Sequence, residues 1–234
     1  METTPPGKST SREIAERAAE VALGYVPIAG PVLAAAFVTA VGWRLDQRRD
    51  EWLTRLAEGL EDLRERIGDV DFENLASNDL FVDAVVITTR TIYHTHQEEK
   101  ITALRNAVLN SVAPDAPDAD TQAIFLNLVD RYTPSHLRML QLWDDPPAWF
   151  ARHSLTPPQG VMAGSRTMTV EAGLPEMQGR QEFYLLVASD LMSAGLMTAS
   201  LPGMVTYEVL MDRLTNDLGR QFVRFISPPA GGAG

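Results

Sequence analysis

The chain has 234 residues, a formal net charge of −11 and no cysteine. Hydrophobic residues at 45% and charged residues at 22% suffice for a packed core, in one large domain or two small ones, and exclude wholesale disorder. The acidic balance is poor preparation for a phosphate backbone, and the missing thiols exclude disulfides, thiolate nucleophiles and cysteine-based zinc sites.

Residues 1–10 are polar, carry Pro5 and Pro6, and read as a disordered tail. No basic segment precedes the first apolar stretch, and Glu13, Glu16 and Glu20 have the wrong sign for a secretory signal, so a cytoplasmic protein is expected. Ser11 caps a short helix to about Leu23, with Ile14, Ala18 and Val21 at helical spacing. From Val21 to Trp43 the chain carries no charge, and Arg44, Arg48 and Arg49 follow.

Such a run either meets a membrane or partner or folds as a hairpin buried in a helical core. Pro27 and Pro31 interrupt it, and Val32 to Trp43 alone is about 18 Å long, too short to span a bilayer. The candidate membrane or partner contacts are Val32, Leu33, Phe37, Val38, Val41 and Trp43.

A second helix is predicted from about Pro31 to about Ile67, since proline suits a first turn. Leu45, Trp52, Leu56, Leu60, Leu63 and Ile67 line one stripe, with charges on the remaining faces. Trp52, Leu56, Leu60 and Leu63 are the candidate helix-seam contacts, made inside the domain or with a partner or second copy.

Asn78 caps a helix to about His94 whose inner face holds Phe81, Val85, Thr88 and Ile92, widened by Val82, Val86 and Thr89. Thr95-x-x-Glu98 has the capping-box spacing ahead of Ile101, Leu104, Val108 and Val112. Residues 113–120, with two prolines and three aspartates, read as a loop. Residues 11–113 therefore form a helical domain containing the apolar hairpin.

Beyond the loop, Gln122 to Arg131 reads as a helix with Ile124, Phe125, Leu128 and Val129 inward. Thr133-Pro134 opens another, with Leu137, Leu140 and Trp143 on one face, and Asp145 caps a short helix through Trp149 and Phe150. Residues 153–180 are rich in glycine and proline and read as a loop insertion with a brief strand at Met168 to Val170. A helix from Gln181 to Ala194 ends at Gly195. Leu196 to Ala199, Pro202-Gly203 and Val205 to Met211 read as a β-hairpin. Thr215 caps a last helix carrying Leu218, Phe222, Phe225 and Ile226, and residues 227–234 form a second disordered tail.

Helices followed by a two-stranded wing and a closing helix resemble a winged helix over Thr133 to Ile226. The ending Leu-Thr-Asn-Asp-Leu-Gly-Arg-Gln-Phe-Val-Arg-Phe-Ile, 214–226, is similar to the closing segment of many bacterial winged domains. The front half, with its apolar Pro/Gly-rich segment, its Leu-repeat helix and the stretches 97–110 and 128–138, resembles uncharacterised helical bacterial proteins near the abortive-infection alpha group. The fold class is thus mainly α, a multi-helix bundle followed by a small winged-helix-like α+β module at 121–226.

Candidate chemistry is sparse. His94 and His96 stand about 200° apart on a helix and cannot chelate one ion there. Ser154 and Ser165 have no nucleophile-elbow context. No catalytic residue, metal or cofactor is expected. A winged helix would read DNA through Arg180 and Gln181, but its wing tip Ser200-Leu201-Pro202-Gly203-Met204 is apolar. The resemblance implies a non-enzymatic interaction or effector protein, linked to phage defence, that acts through partner or membrane contact of 21–43. Its partners would be another protein, a second copy or a membrane surface. The alternative is a regulatory winged-helix module binding DNA, which the charge disfavours.

Overall fold

A computed structural model describes residues 30–67, 75–159 and 163–229, with side chains in the first stretch described from Val38 to Glu65. The expected helix at 11–23, the first half of the apolar hairpin and the tail 1–10 lie outside the described residues. The chain divides into two units, 1–54 and 55–234. Among the described residues it is mainly helical, with one two-stranded sheet.

In the first unit the described residues belong to α1 (Gly30–Ile67), with Pro31 in its first turn as expected. Gln47 donates to Glu51 at 2.9 Å, Arg49 pairs with Asp50 at 3.0 Å, and Trp52 is buried.

The second unit opens with the rest of α1. It continues through α2 (Asp79–Ile92), α3 (Glu98–Asn110), α4 (Ala119–Arg131), α5 (Pro134–Asp144) and α6 (Pro146–Arg152). Strand β1 (Ala163–Ser165) leads into α7 (Arg166–Gly173), a 3₁₀ turn at Pro175–Met177 and α8 (Gln181–Ser193). Strand β2 (Met204–Thr206), a 3₁₀ turn at Tyr207–Met211 and α9 (Asp217–Ile226) complete it.

The seam of α1 behaves as a buried stripe. Leu56, Leu60 and Leu63 are buried, and Gly59 lies so close to α3 that an added Cβ would meet Leu109 at 3.1 Å and Arg105 at 3.4 Å. These side chains are enclosed by their own chain.

The local signals that held are hydrogen-bonded caps. Asn78 accepts from the Phe81 amide at 3.2 Å, Asp145 from Ala148 at 3.1 Å, and Gly195 ends α8 at φ +71°. The α2 face is narrower than expected, because Val82 and Val86 are exposed while Ala84 and Thr91 are buried.

Several expectations are corrected. The break at 113–120 is not a domain boundary, because α3 packs on both α4 and α9 and all lie in one unit. Gln97, not Thr95, is the N-cap of α3, since the Glu98 carboxylate turns to Arg55 rather than back to the cap. Ile124 is 55% exposed, because Gln122 takes the inward phase and donates to Ser111 O at 3.0 Å and Pro117 O at 2.8 Å. Residues 153–180 are not a bare loop. Met168 to Val170 is helical within α7, whose start is capped by Ser165 accepting from Thr167 at 3.3 Å.

The expected hairpin is absent. β2 pairs antiparallel with β1, Gly164 opposite Val205, while 207–211 coils as 3₁₀ and Met197 bridges Thr215. The wing of a winged helix is therefore replaced by a strand pair that closes some forty residues of intervening chain. Thr215 does not cap α9; its hydroxyl donates to Asp144 at 2.8 Å, and Asn216 takes the cap by accepting from Gly219 at 2.8 Å. Leu218 is consequently on the exposed side. Ser227, expected in a disordered tail, is held by Asn110, whose amide donates to its carbonyl at 2.8 Å.

The core lies where α5 is enclosed by α7, α8 and α9. Met139, Leu140, Leu142 and Trp143 are all fully buried, and the Phe125, Phe222 and Phe225 rings meet across α4 and α9.

Candidate functional site

Two places carry unexplained surface. The first is the N-terminal part of α1. Val38 is 67% exposed, Val41 40% and Trp43 63%. The expectation of a hairpin buried in the core does not hold for these three. Val32, Leu33 and Phe37 fall within α1, but their side chains lie outside the described residues. No described helix is long and apolar enough to cross a membrane.

The second is a groove of about 730 Å³ in the second unit, between α3, α5, the end of α6 and the turn at Pro175–Met177. Its apolar floor is Ala103, Leu137, Trp149, Leu174 and Ile226, all buried. Polar groups surround it: Glu98 and Glu99 from α3, Arg138 and Gln141 from α5, then His153 and Glu176. Arg138 grips Glu99 with two bonds of 2.6 Å and Glu176 with a third of 2.6 Å, tying three elements together. The Glu99 bonds come first in raising the guanidinium above its ordinary value. The Arg55 hydrogen bond holds Glu98 below the usual carboxylate value.

Behind the floor, Trp149 donates its indole N–H to Gly173 O at 2.8 Å and lies 3.9 Å from the His153 ring. A side chain at Gly173 would meet Leu142 at 3.0 Å and Phe150 at 3.2 Å, so glycine lets α7 approach α5 and α6. Asn106 and Asn110 donate to the last carbonyls of α9, Asn106 to Ile226 at 2.9 Å and Asn110 to Phe225 at 2.9 Å, groups a helix end leaves unsatisfied. Nothing in the sequence marked this groove, because its polar residues come from four separate elements and show no common spacing.

The histidines have local roles. His94 meets Asp130 at 2.9 Å, and Lys100 donates to the Asp130 carbonyl, closing the C-terminal end of α4. Burial pushes the Lys100 ammonium down, opposed by Asp130. His136 is buried, stacked on Tyr132 with centroids 4.7 Å apart. The Thr133 amide donates to its Nδ1 at 3.3 Å, so the hydrogen sits on Nε2, 3.4 Å from Asp190.

Burial drives the His136 imidazole below its ordinary value, against the pull of Asp190. The sign follows from proton binding. In the unfolded chain the ring takes a proton near pH 6.5, whereas the folded chain resists until lower pH, so stability falls as pH drops below about 6.5. Urea midpoints at neutral and mildly acidic pH should show this loss in the wild type and a smaller one in His136→Leu. An equal loss in both proteins refutes the assignment.

Arg180 and Gln181 stand exposed at the start of α8, with the Arg180 guanidinium 4.1 Å from the Phe183 ring centroid. Compared with known protein families, curated proteins and solved structures, the chain matches none.

Proposed function

We propose that this protein is a non-enzymatic interaction or effector protein that works by placing its apolar segment, 21–43, in a lipid surface. The observation that supports this reading is the exposure of Val38, Val41 and Trp43 on α1. On a helix Trp43 points about 140° away from Val38, so the apolar character is not one stripe. A helix that docks in a protein groove needs only one apolar face. One that is apolar all round asks for a host on every side, and lipid supplies that.

The part from Gly30 to Trp43 is about 21 Å long, shorter than a hydrocarbon core of about 30 Å. It therefore enters one leaflet rather than spanning. Trp43 stands at the edge of the run, next to Arg44, where an amphipathic ring suits the headgroup level. The resemblance to the abortive-infection alpha group makes phage infection the trigger of choice for such an effector.

Sedimentation of the full chain with phosphatidylcholine vesicles tests the reading. The protein should pellet with lipid, and the double variant Val38→Asp, Trp43→Asp should need about tenfold more lipid or worse, because two charges replace buried apolar surface. A protein that stays in the supernatant at every lipid concentration overturns it, as does a double variant that binds like the wild type.

A further inference from the structure

We propose that the groove between α3, α5 and α6 binds an organic ammonium ion that carries an apolar body. This goes beyond the lipid contact of α1 and does not depend on it.

Most of the strong donors facing the groove are engaged, and the Thr102 hydroxyl, like the Gln141 amide, both donates and accepts. Arg138 directs three N–H groups at Glu99 and Glu176. The Trp149 indole donates to Gly173, and the Asn106 amide nitrogen donates to Ile226. Acceptors remain. The Asn106 Oδ1 is buried and partnerless in a residue only 1% exposed that lines the groove. His153 Nδ1 donates to the Trp149 carbonyl at 2.8 Å, which leaves Nε2 with a lone pair in the neutral ring. Each glutamate oxygen has further lone-pair capacity, and Gln141, which both donates and accepts, is neutral to the choice.

Charge points the same way. Three carboxylates, Glu98, Glu99 and Glu176, line the groove; Arg138 holds two of them and Arg55 holds Glu98, which leaves an excess of one negative charge. An anion approaching Arg138 would meet a guanidinium already shared by Glu99 and Glu176 and would lie against both carboxylates. An ammonium N–H instead finds His153 Nε2, the glutamate oxygens and a net negative rim, with Asn106 Oδ1 buried behind them, and its apolar part finds Leu137, Leu174 and Trp149 beneath it. The volume of about 730 Å³ suits a small molecule of a few rings or a short alkyl chain.

Calorimetric titration of the full chain with phenylbutylamine tests this, with phenylbutanol and phenylpentanoate as neutral and anionic controls of matching shape. The amine should saturate one site per chain and bind about tenfold tighter than either control, as a charge-assisted hydrogen bond implies. Glu176→Gln and His153→Phe, both at exposed positions, should each weaken the amine several-fold and leave the alcohol unchanged. Amine and alcohol binding alike, amine binding indifferent to both substitutions, or no saturation up to the solubility limit would each overturn the proposal.

Discussion

Gly219→Ala is expected to destabilise the protein by about 3–5 kcal/mol, although the substitution lies inside a helix where alanine ordinarily gains about 0.5–1 kcal/mol over glycine. The reason is contact with backbone. A Cβ at Gly219 would stand 2.1 Å from the Leu196 carbonyl oxygen and 3.2 Å from the Thr215 Cβ. The Leu196 segment cannot simply retreat. Its amide donates to Leu191 O at 3.0 Å, its carbonyl accepts from the Asn216 amide at 3.3 Å, and its side chain is fully buried. Asn216 also donates to Gly195 O at 2.6 Å, so the α8 exit and the α9 entrance are tied on both sides of the contact. Either α9 lifts from the core or its first turn unwinds. Urea denaturation of the variant reads the cost directly, and a midpoint equal to or above that of the wild type would show that α9 does not approach Leu196 this closely.

Phe222→Ala should cost about 3–5 kcal/mol, the range for removing a fully buried aromatic ring. Phe222 has no exposed surface, and its ring meets Phe125 edge-on at 5.1 Å and Tyr132 at 6.2 Å. Edge-to-face pairs add about 0.5–1.5 kcal/mol beyond area burial, so truncation removes packing from α4 and α9 together. A domain of ordinary stability holds only about 5–15 kcal/mol, and the alanine variant therefore stands near the unfolding threshold. Phe222→Leu, which keeps most of the volume, should lose less than about 1.5 kcal/mol and stay folded. If alanine and leucine cost the same, the ring is not wedged among its neighbours and the core assignment fails.

The helices were legible wherever the deciding interaction was local. Asn78 and Asp145 cap through amides three residues away, and Gly195 stops α8 by adopting a positive φ. The Leu56, Leu60, Leu63 stripe was readable because helical periodicity names a buried face without naming what covers it. Failure began where a second, distant group competed. Thr215 has the right residue type for a cap, but Asp144, 71 residues earlier, takes its hydroxyl. Glu98 has the capping-box spacing, but Arg55 draws it away. Val205 has strand character, yet its partner Gly164 lay in a stretch whose glycines and prolines read as loop.

The same division separates the two candidate sites. The uncharged run ending at Trp43 was visible in the sequence, because a missing charge over many residues is a one-dimensional fact. The groove was not, because Asn106, Arg138, His153 and Glu176 share nothing along the chain and meet only when α3, α5 and the 3₁₀ turn pack. Composition, periodicity and capping residues determined by themselves that this chain is helical, where most helices begin and end, and that one segment is apolar without relief. Strand pairing, the phase of α4, the cap of α9 and the groove were decided by tertiary structure alone, since each depends on which remote hydrogen-bonding group arrives first at a given atom.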